Sequence, residues 1–350
     1  MAEKIKKITG MRLFMPIVCL LIVLLVNVIR TPDFFNITLK DGQLSGWMID
    51  VINRGSELVI LAIGMTLVTA ASGGQDISVG AMAVAAAVCC QILSGGEVST
   101  NTLAAPIIIA AIAGILVAAL CGAFNGFLVA KLNIQPMVAT LILFTAGRGI
   151  AQLVTQGQIT YVRVESYKAM GGFLGPIPTP VIFAVAAVVV AYLVLNKTAL
   201  GMYIESVGIN SHASRLIGLN STRIKFLTYV ICGALAGLAG IVASSRIYSA
   251  DANNIGLNLE MDAILAVALG GNILSGGKFS LMGSVIGAYT IQALTTTLYA
   301  MSVPSDQLPV YKAIVVIIIV VLQSPVYKKA MQNYKAKRQS KKAVVQGGEQ

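Results

Sequence analysis

Apolar residues run along this chain in long blocks, and the charged, Pro and many of the Gly positions fall between them. The blocks lie at 12–30, 51–72, 78–94, 103–130, 134–155, 179–196, 226–246, 259–273, 281–300 and 309–326. A helix needs about 20 apolar residues to cross roughly 30 Å of hydrocarbon. The pattern therefore predicts an all-α, polytopic membrane helix bundle of about ten transmembrane helices. Blocks 78–94 and 259–273 are short for a full crossing, and each abuts a Gly-Gly pair, Gly73-Gly74 and Gly270-Gly271. Broken or re-entrant backbone is expected there, which lipid tolerates only where protein or a water-filled cavity covers it. Block 103–130 is long enough to tilt or overhang. The expected division is a tail at 1–11, a membrane domain at 12–326 with a long inner connection at 197–225, and a basic tail at 327–350.

Charge orients the bundle. The first block follows Lys4, Lys6, Lys7 and Arg12 and ends without a small-x-small cleavage site, so it reads as an uncleaved span with its N-terminus inside. Ten spans put both termini on the cytoplasmic side. The segments then predicted inside hold 17 Lys/Arg and 4 Asp/Glu, and those outside hold 3 and 7. That asymmetry obeys the positive-inside rule. An odd number of spans would separate the basic loop 197–225 from the basic tail. Arg30, Arg54, Arg246 and Lys312 lie near outer span ends and can snorkel to the interface; Arg148 is deeper. The chain is 57% hydrophobic but only 11% charged, against about 25% charged in soluble domains. This excludes a soluble enzyme, a disordered chain and a nucleic-acid binder. The net charge of +11 reports orientation, and the basic tail is expected either to be solvated or to touch anionic membrane lipid.

Catalytic chemistry is hard to find. All five cysteines sit in apolar runs and read as small packing residues. His212 is the one histidine, and no GxSxG or HExxH pattern occurs. Gly276-Gly277-Lys278-Phe279-Ser280 only superficially resembles a phosphate loop, because Asn272 and Phe279 occupy its required Gly and Ser/Thr positions. The chain is thus expected to hold no metal, nucleotide or other cofactor, and any ATP hydrolysis must belong to a partner. Asp76 is the main candidate for a buried acid, and no carboxylate relay is visible.

Two polar stripes lie inside apolar blocks. Thr145, Arg148, Gln152 and Thr155 recur every three or four residues, as do Tyr289, Gln292, Thr296 and Tyr299. A charge at mid-bilayer costs about 3 kcal/mol or more, so Arg148 must face protein or water. Such faces could line a path for a neutral, polyhydroxylated solute, or they could hold the bundle together by interhelical hydrogen bonds. GxxxG patterns at Gly122–Gly126, Gly233–Gly237 and Gly283–Gly287 suggest close helix packing. Residues 73–80 and 270–277 share GGxxxSxG, a weak internal echo. In the loop 197–225, Asn210 can cap a short helix through His212, Ala213, Ser214, Arg215, Leu216 and Ile217, stopped by Gly218. A two-turn helix there needs a membrane surface or a partner to pack on.

These residues carry a family resemblance. Leu61–Val68 followed by Gly73-Gly74-Gln75-Asp76-Ile77-Ser78-Val79-Gly80, then Gly122–Gly126 with Ile134–Leu141, resembles the permease subunits of bacterial ABC importers for monosaccharides, the ribose/galactose class. That family usually has Ile at the position of Gln75. Thr198–Gly201 through Ala213–Gly218 resembles its ATPase-contacting segment. Leu259–Val267, which includes Glu260 and Asp262, followed by Gly270, Gly271, Gly276 and Gly277, is the most specific match. Asp41–Leu44, Ala146–Leu153 and Ala250–Asn254 look most similar to galactofuranose-type permeases. The resemblance implies a type II ABC importer-like fold in the bacterial cytoplasmic (inner) membrane. It further implies a second permease subunit (identical or related), a cytoplasmic ABC ATPase and an extracytoplasmic sugar-binding protein. Residues 210–218 would couple ATPase closure to the permease helices. Competing expectations are a permease for nucleosides, an autoinducer or branched-chain amino acids, an ion-coupled secondary transporter, and a polytopic membrane enzyme.

Overall fold

The computed structural model describes residues 13–40, 42–78 and 80–323. The tails expected at 1–11 and 327–350 lie outside them. The helices are α1 (Phe14–Arg30), α2 (Trp47–Ser72), α3 (Gly80–Ser94), α4 (Ile107–Ala130), α5 (Pro136–Val154), α6 (Glu165–Gly171), α7 (Thr179–Lys197), α8 (Leu200–Ile209), α9 (Ser211–Leu216), α10 (Ser221–Arg246), α11 (Leu259–Leu269), α12 (Leu281–Ala300) and α13 (Leu308–Gln323). Each of the ten apolar blocks contains one helix within its described residues. Five of them, α2, α4, α5, α7 and α10, are long and apolar enough on their own to cross a membrane. Residues 302–323, which contain α13, belong to a second compact unit; α13 exposes Val310, Ile314, Ile317 and Val321 along its length.

In the larger unit, α2 is the central element. Twenty of its residues are buried, and it packs on α7, α10, α11 and α12. Helix α4 shows how composition sets helix position in lipid. Ala110, Gly114, Ala118, Gly122 and Gly126 repeat every four residues and face protein, whereas Ile108, Ile112, Leu116, Leu120 and Phe127 are exposed on the other side. Lipid supplies no hydrophobic drive between helices, so close backbone approach must supply packing. The small stripe meets α10, where a Cβ on Gly233 would fall 2.9 Å from the Cα of Gly122. The GxxxG patterns thus act within the chain, as close packing.

The two Gly-rich segments of the internal echo meet in space. Gly73 caps α2 in the left-handed conformation, and Gly276 has φ +93° with its Cβ position 3.0 Å from the Cα of Gly73. Gly277 N donates to Ala70 O at 2.9 Å, tying residues 270–277 to the end of α2. The irregular backbone expected after the short span 259–273 is present: α11 ends at Leu269, and residues 270–280 continue without helix. Residues 75–78, ahead of α3, likewise have no regular secondary structure.

Three features depart from expectation. The segment 197–225 contains α8 as well as the capped turn, because Leu200, Met202, Tyr203, Ile204 and Val207 sustain an apolar helix beyond the span. Helix α10 starts at Ser221, five residues before the apolar block, since Asn220 caps it by accepting from Arg223 N. The connection 156–178 folds into α6 and joins a three-stranded sheet: Ser99–Thr100 runs parallel to Thr160–Val162, which pairs antiparallel with Ser249–Ala250 in the register Thr160↔Ala250. Tyr167 of α6 is fully buried, with its hydroxyl against Ser244 Oγ and Cys90 Sγ. That plug pins α6 over the end of α10.

Candidate translocation and coupling sites

The first polar stripe lies on α5, which packs on α3 and α4 and leaves one face uncovered. Thr145 and Gln152 are exposed there, and Thr155 is buried. A shallow groove beside them is lined by Ala146, Gly149, Ile150, Gln152, Leu153 and Gln156. Arg148 is half-buried and turns to the loop 251–258 ahead of α11. Its Nη1 donates to the carbonyls of Ala252 (3.2 Å), Asn253 (2.8 Å) and Ile255 (3.3 Å). Gln152 Nε2 donates to Asn253 Oδ1 at 2.6 Å. The loop is itself shaped by Asp251, whose carboxylate accepts from Asn253 N and Asn254 N. Two α5 side chains therefore clamp a preformed turn.

The second stripe lies on α12, which packs on α1, α2 and α11. Gln292 and Thr296 are buried and bond to each other at 3.3 Å. The Tyr289 ring fills the space beside Gly55, where a Cβ would lie 2.9 Å from its Cδ1. Elsewhere on α12, Ser284 Oγ bonds Thr66 at 2.6 Å and Thr297 Oγ1 accepts from Asn27 at 2.7 Å. The two stripes thus sit on helices with different neighbours, one face open and the other closed except at Tyr299, which is 42% exposed.

Among the described residues four acids are buried, where the sequence singled out Asp76 as the main one. Asp76 accepts from Ser78 N at 2.8 Å, and Asn125 Nδ2 donates to Ser78 Oγ at 2.7 Å. Asp76, Ser78, Met65 and Cys232 border a cavity of about 10 Å³, about one water's worth. Glu57, Glu260 and Asp262 are the others, each under 9% exposed. Glu57 pairs with Arg246 at 2.7 Å, and Arg246 Nη2 also donates to Asn53 O (3.4 Å) and Oδ1 (3.2 Å). Sequence reading placed Arg246 at an interface and passed over Glu57. The signal available was a lone acid beside Asn53 in an otherwise apolar block. Among the signature residues, Gly74 lies against Pro136, Gly80 begins α3, and Glu260 and Asp262 occupy the first turn of α11, where carboxylates suit the helix dipole. Gly271 and Gly277 take positive φ, and Gly270 packs against Gly283.

The segment expected to couple is built as a rigid, apolar-tipped turn. Asn210 Oδ1 accepts from His212 N and Ala213 N, both at 3.0 Å, capping α9. Ser214 is buried and returns a bond to Asn210 O at 2.9 Å. Arg215 Nε donates to Ser221 Oγ at 2.6 Å, so this exposed side chain also braces α9 against α10. His212 is exposed. Gly218 closes the turn at φ +88°, leaving Leu216 89% and Ile217 75% exposed at its tip.

Comparison with known proteins places this architecture. Residues 47–323 match the family described as "Branched-chain amino acid transport system / permease component". The galactofuranose transporter permease protein YtfT of Escherichia coli (strain K12) is 46% identical over 310 residues, 88% of each chain. The fructose import permease protein FruF of Bifidobacterium longum (strain NCC 2705) is 38% identical over 342 residues, 95% of this chain and 94% of its own. The ribose import permease protein RbsC of Escherichia coli (strain K12) is 33% identical over 314 residues, 88% of this chain and 92% of its own. With these matches along a multi-pass helical bundle, the chain belongs to the branched-chain amino acid transport system / permease component family of transport permeases.

Proposed function

We propose that this chain is the membrane-spanning permease subunit of an ATP-driven importer for a monosaccharide of the galactofuranose, galactose, ribose or fructose type. The observation that carries the reading is the 46% identity to a galactofuranose transporter permease along 88% of both chains. In this reading the protein lies in the bacterial cytoplasmic membrane with both termini inside. It pairs with a second permease subunit, receives sugar from an extracytoplasmic binding protein, and is driven by a cytoplasmic ATPase that holds ATP and Mg²⁺.

The open face of α5, with Thr145, Arg148 and Gln152, supports a role in the translocation path, because exposed amides and hydroxyls are costly against lipid and favourable against a hydroxylated solute or a second subunit. Tyr289, Gln292 and Thr296 would join the path after α12 rotates from its present contacts. The apolar tip Leu216-Ile217 supports docking of 210–218 in a groove of the ATPase. A ligand can shift a two-state protein only by its differential affinity for the two states. The capped turn, braced by Arg215, offers a stiff element on which ATPase closure can act.

The test is deletion of the gene in its own cell, with uptake of labelled galactose, ribose, fructose and leucine followed before and after. Loss of uptake of one sugar, restored by the intact gene, is the expected outcome. Unchanged uptake of all three sugars with loss of leucine uptake would overturn the substrate class.

A further inference from the structure

Three chain segments meet backbone to backbone beside the capped turn. Helix α2 ends at Ser72, and Ala70 O, one of its end carbonyls, accepts from Gly277 N at 2.9 Å. The end carbonyls of a helix have no partner within it, so the segment 270–280 supplies one here. Gly208, in the last turn of α8, lies against that same bond. A Cβ there would overlap Ala70 O and stand 2.6 Å from Gly277 N. On the neighbouring residue, a Cβ on Gly276 would lie 3.0 Å from the Cα of Gly73 and 3.2 Å from Gly208 O. At these points the ends of α2 and α8 and the segment 270–280 touch with no side chain between them.

Each side of this junction is tied to an element of the transport reading. Asn210 follows α8 at once: its N donates to Ser206 O at 3.1 Å and its side chain caps α9, so the end of α8 and the turn 210–218 are one piece. Beyond Gly277, Ser280 N donates to Asn272 Oδ1 at 2.6 Å, and Asn272 Nδ2 donates to Ser284 Oγ at 2.7 Å. Those bonds clasp residues 272–280 to the first turn of α12, the helix that carries Tyr289, Gln292 and Thr296. Close-packed protein is barely compressible and passes strain on. A contact made of backbone alone also lacks a rotamer that could change to absorb a displacement.

Resting on the reading that 210–218 meets the ATPase, we propose that Gly208 is a positioning residue for transport. It seats α8 on Ala70 and Gly277, so that movement of the turn 210–218 carries residues 272–280 and the start of α12 with it. The absence of a side chain at Gly208 is what lets the two pieces move as one.

The experiment uses the complete transporter in proteoliposomes. Spin labels are placed pairwise at the exposed residues Ile209 and Ile273, with a reference label at exposed Leu132 beyond α4. The half-buried Cys121 and Cys232 are changed to Ala so that the new positions take the label. Distances are read without nucleotide and with the ATPase arrested by ADP and vanadate. The 209–273 distance is expected to hold within about 1 Å while 132–209 and 132–273 each change by at least about 2 Å, the scale of helix shifts in switching proteins. A 209–273 distance that changes as much as 132–209 would overturn the proposal, because α8 then slides over the junction. Three unchanged distances would overturn it by removing the movement. Gly208→Ala is the functional arm, with labelled D-galactose, D-ribose and D-fructose as probes and every rate expressed per copurified ATPase. ATP hydrolysis is expected to persist while uptake of the carried sugar falls at least about tenfold, within the range that coupling between two sites commonly spans. Wild-type uptake per complex would overturn the proposal, and a membrane-inserted chain that no longer copurifies the ATPase would overturn it by assigning Gly208 to assembly. If this variant never reaches the membrane, the distances alone decide. If the unmodified transporter carries none of the three sugars, the importer reading fails, and the distances still decide the junction.

Discussion

The Glu57–Arg246 pair joins α2 to α10 inside the bundle, and its two halves differ in what they leave behind when broken. Arg246→Met strands the Glu57 carboxylate, whose side chain is 10% exposed and has Arg246 as its ion-pair partner. Removing one member of a buried pair costs about 3–5 kcal/mol, and the low exposure of Glu57 puts this variant within that range. Glu57→Gln leaves Arg246 with both Asn53 acceptors and a side chain 21% exposed. Its loss should be smaller, about 1.5–3 kcal/mol, the scale of one charged hydrogen bond. The double variant Glu57→Met with Arg246→Met replaces both charges by apolar groups of similar length, which is often near neutral. Unfolding in dodecyl sulfate mixed micelles, with labelling of the buried thiols of Cys89 and Cys90 as the probe, measures all three. The reasoning requires Arg246→Met to be worse than Glu57→Gln, and the double variant to be better than Arg246→Met alone. Equal single losses that simply add would refute it.

Asn210→Ala removes the acceptor for two backbone N–H groups and should cost about 1 kcal/mol at the α9 cap, seen as faster amide exchange across 211–217. Leu216→Asp changes a side chain that is 89% exposed, so thermal stability should hold while copurification of the ATPase falls; unchanged assembly would remove this tip from the coupling surface. Gly276→Ala combines φ +93° with a Cβ 3.0 Å from Gly73 and should sharply lower membrane yield. Gly218→Ala, at φ +88° with open space around it, should cost only the left-handed strain of about 1–2 kcal/mol.

Hydropathy made the helices legible because a membrane span is a local property: each needs only its own run of apolar residues. Boundaries went astray where local chemistry extends a helix past the lipid, as Asn220 does for α10 and the apolar face of Leu200–Val207 does for α8. The sheet was not legible, since its strands are two or three residues long and come from positions near 99, 160 and 249. The same distinction governs the candidate site. Period alone aligned Thr145, Arg148 and Gln152 on one helix, but it could not show that Arg148 would clamp residues 252–255, or that α12 would close over Gln292. Asn210 and Gly218 were readable because a cap and a left-handed stop act within a few residues. Glu57 was not, because its partner lies 189 positions away at Arg246. The weak echo of glycines at 73–80 and 270–277 gained meaning only when Gly73 and Gly276 met across the fold.

The central claim is that this chain moves sugar on the energy of ATP held by another subunit. The direct measurement is accumulation of labelled sugar in proteoliposomes that contain the chain, its ATPase and its binding protein. The expected result is uptake of a monosaccharide that requires ATP and the binding protein, and that persists when ion gradients are collapsed. Accumulation by the chain alone on a sodium or proton gradient would contradict the account.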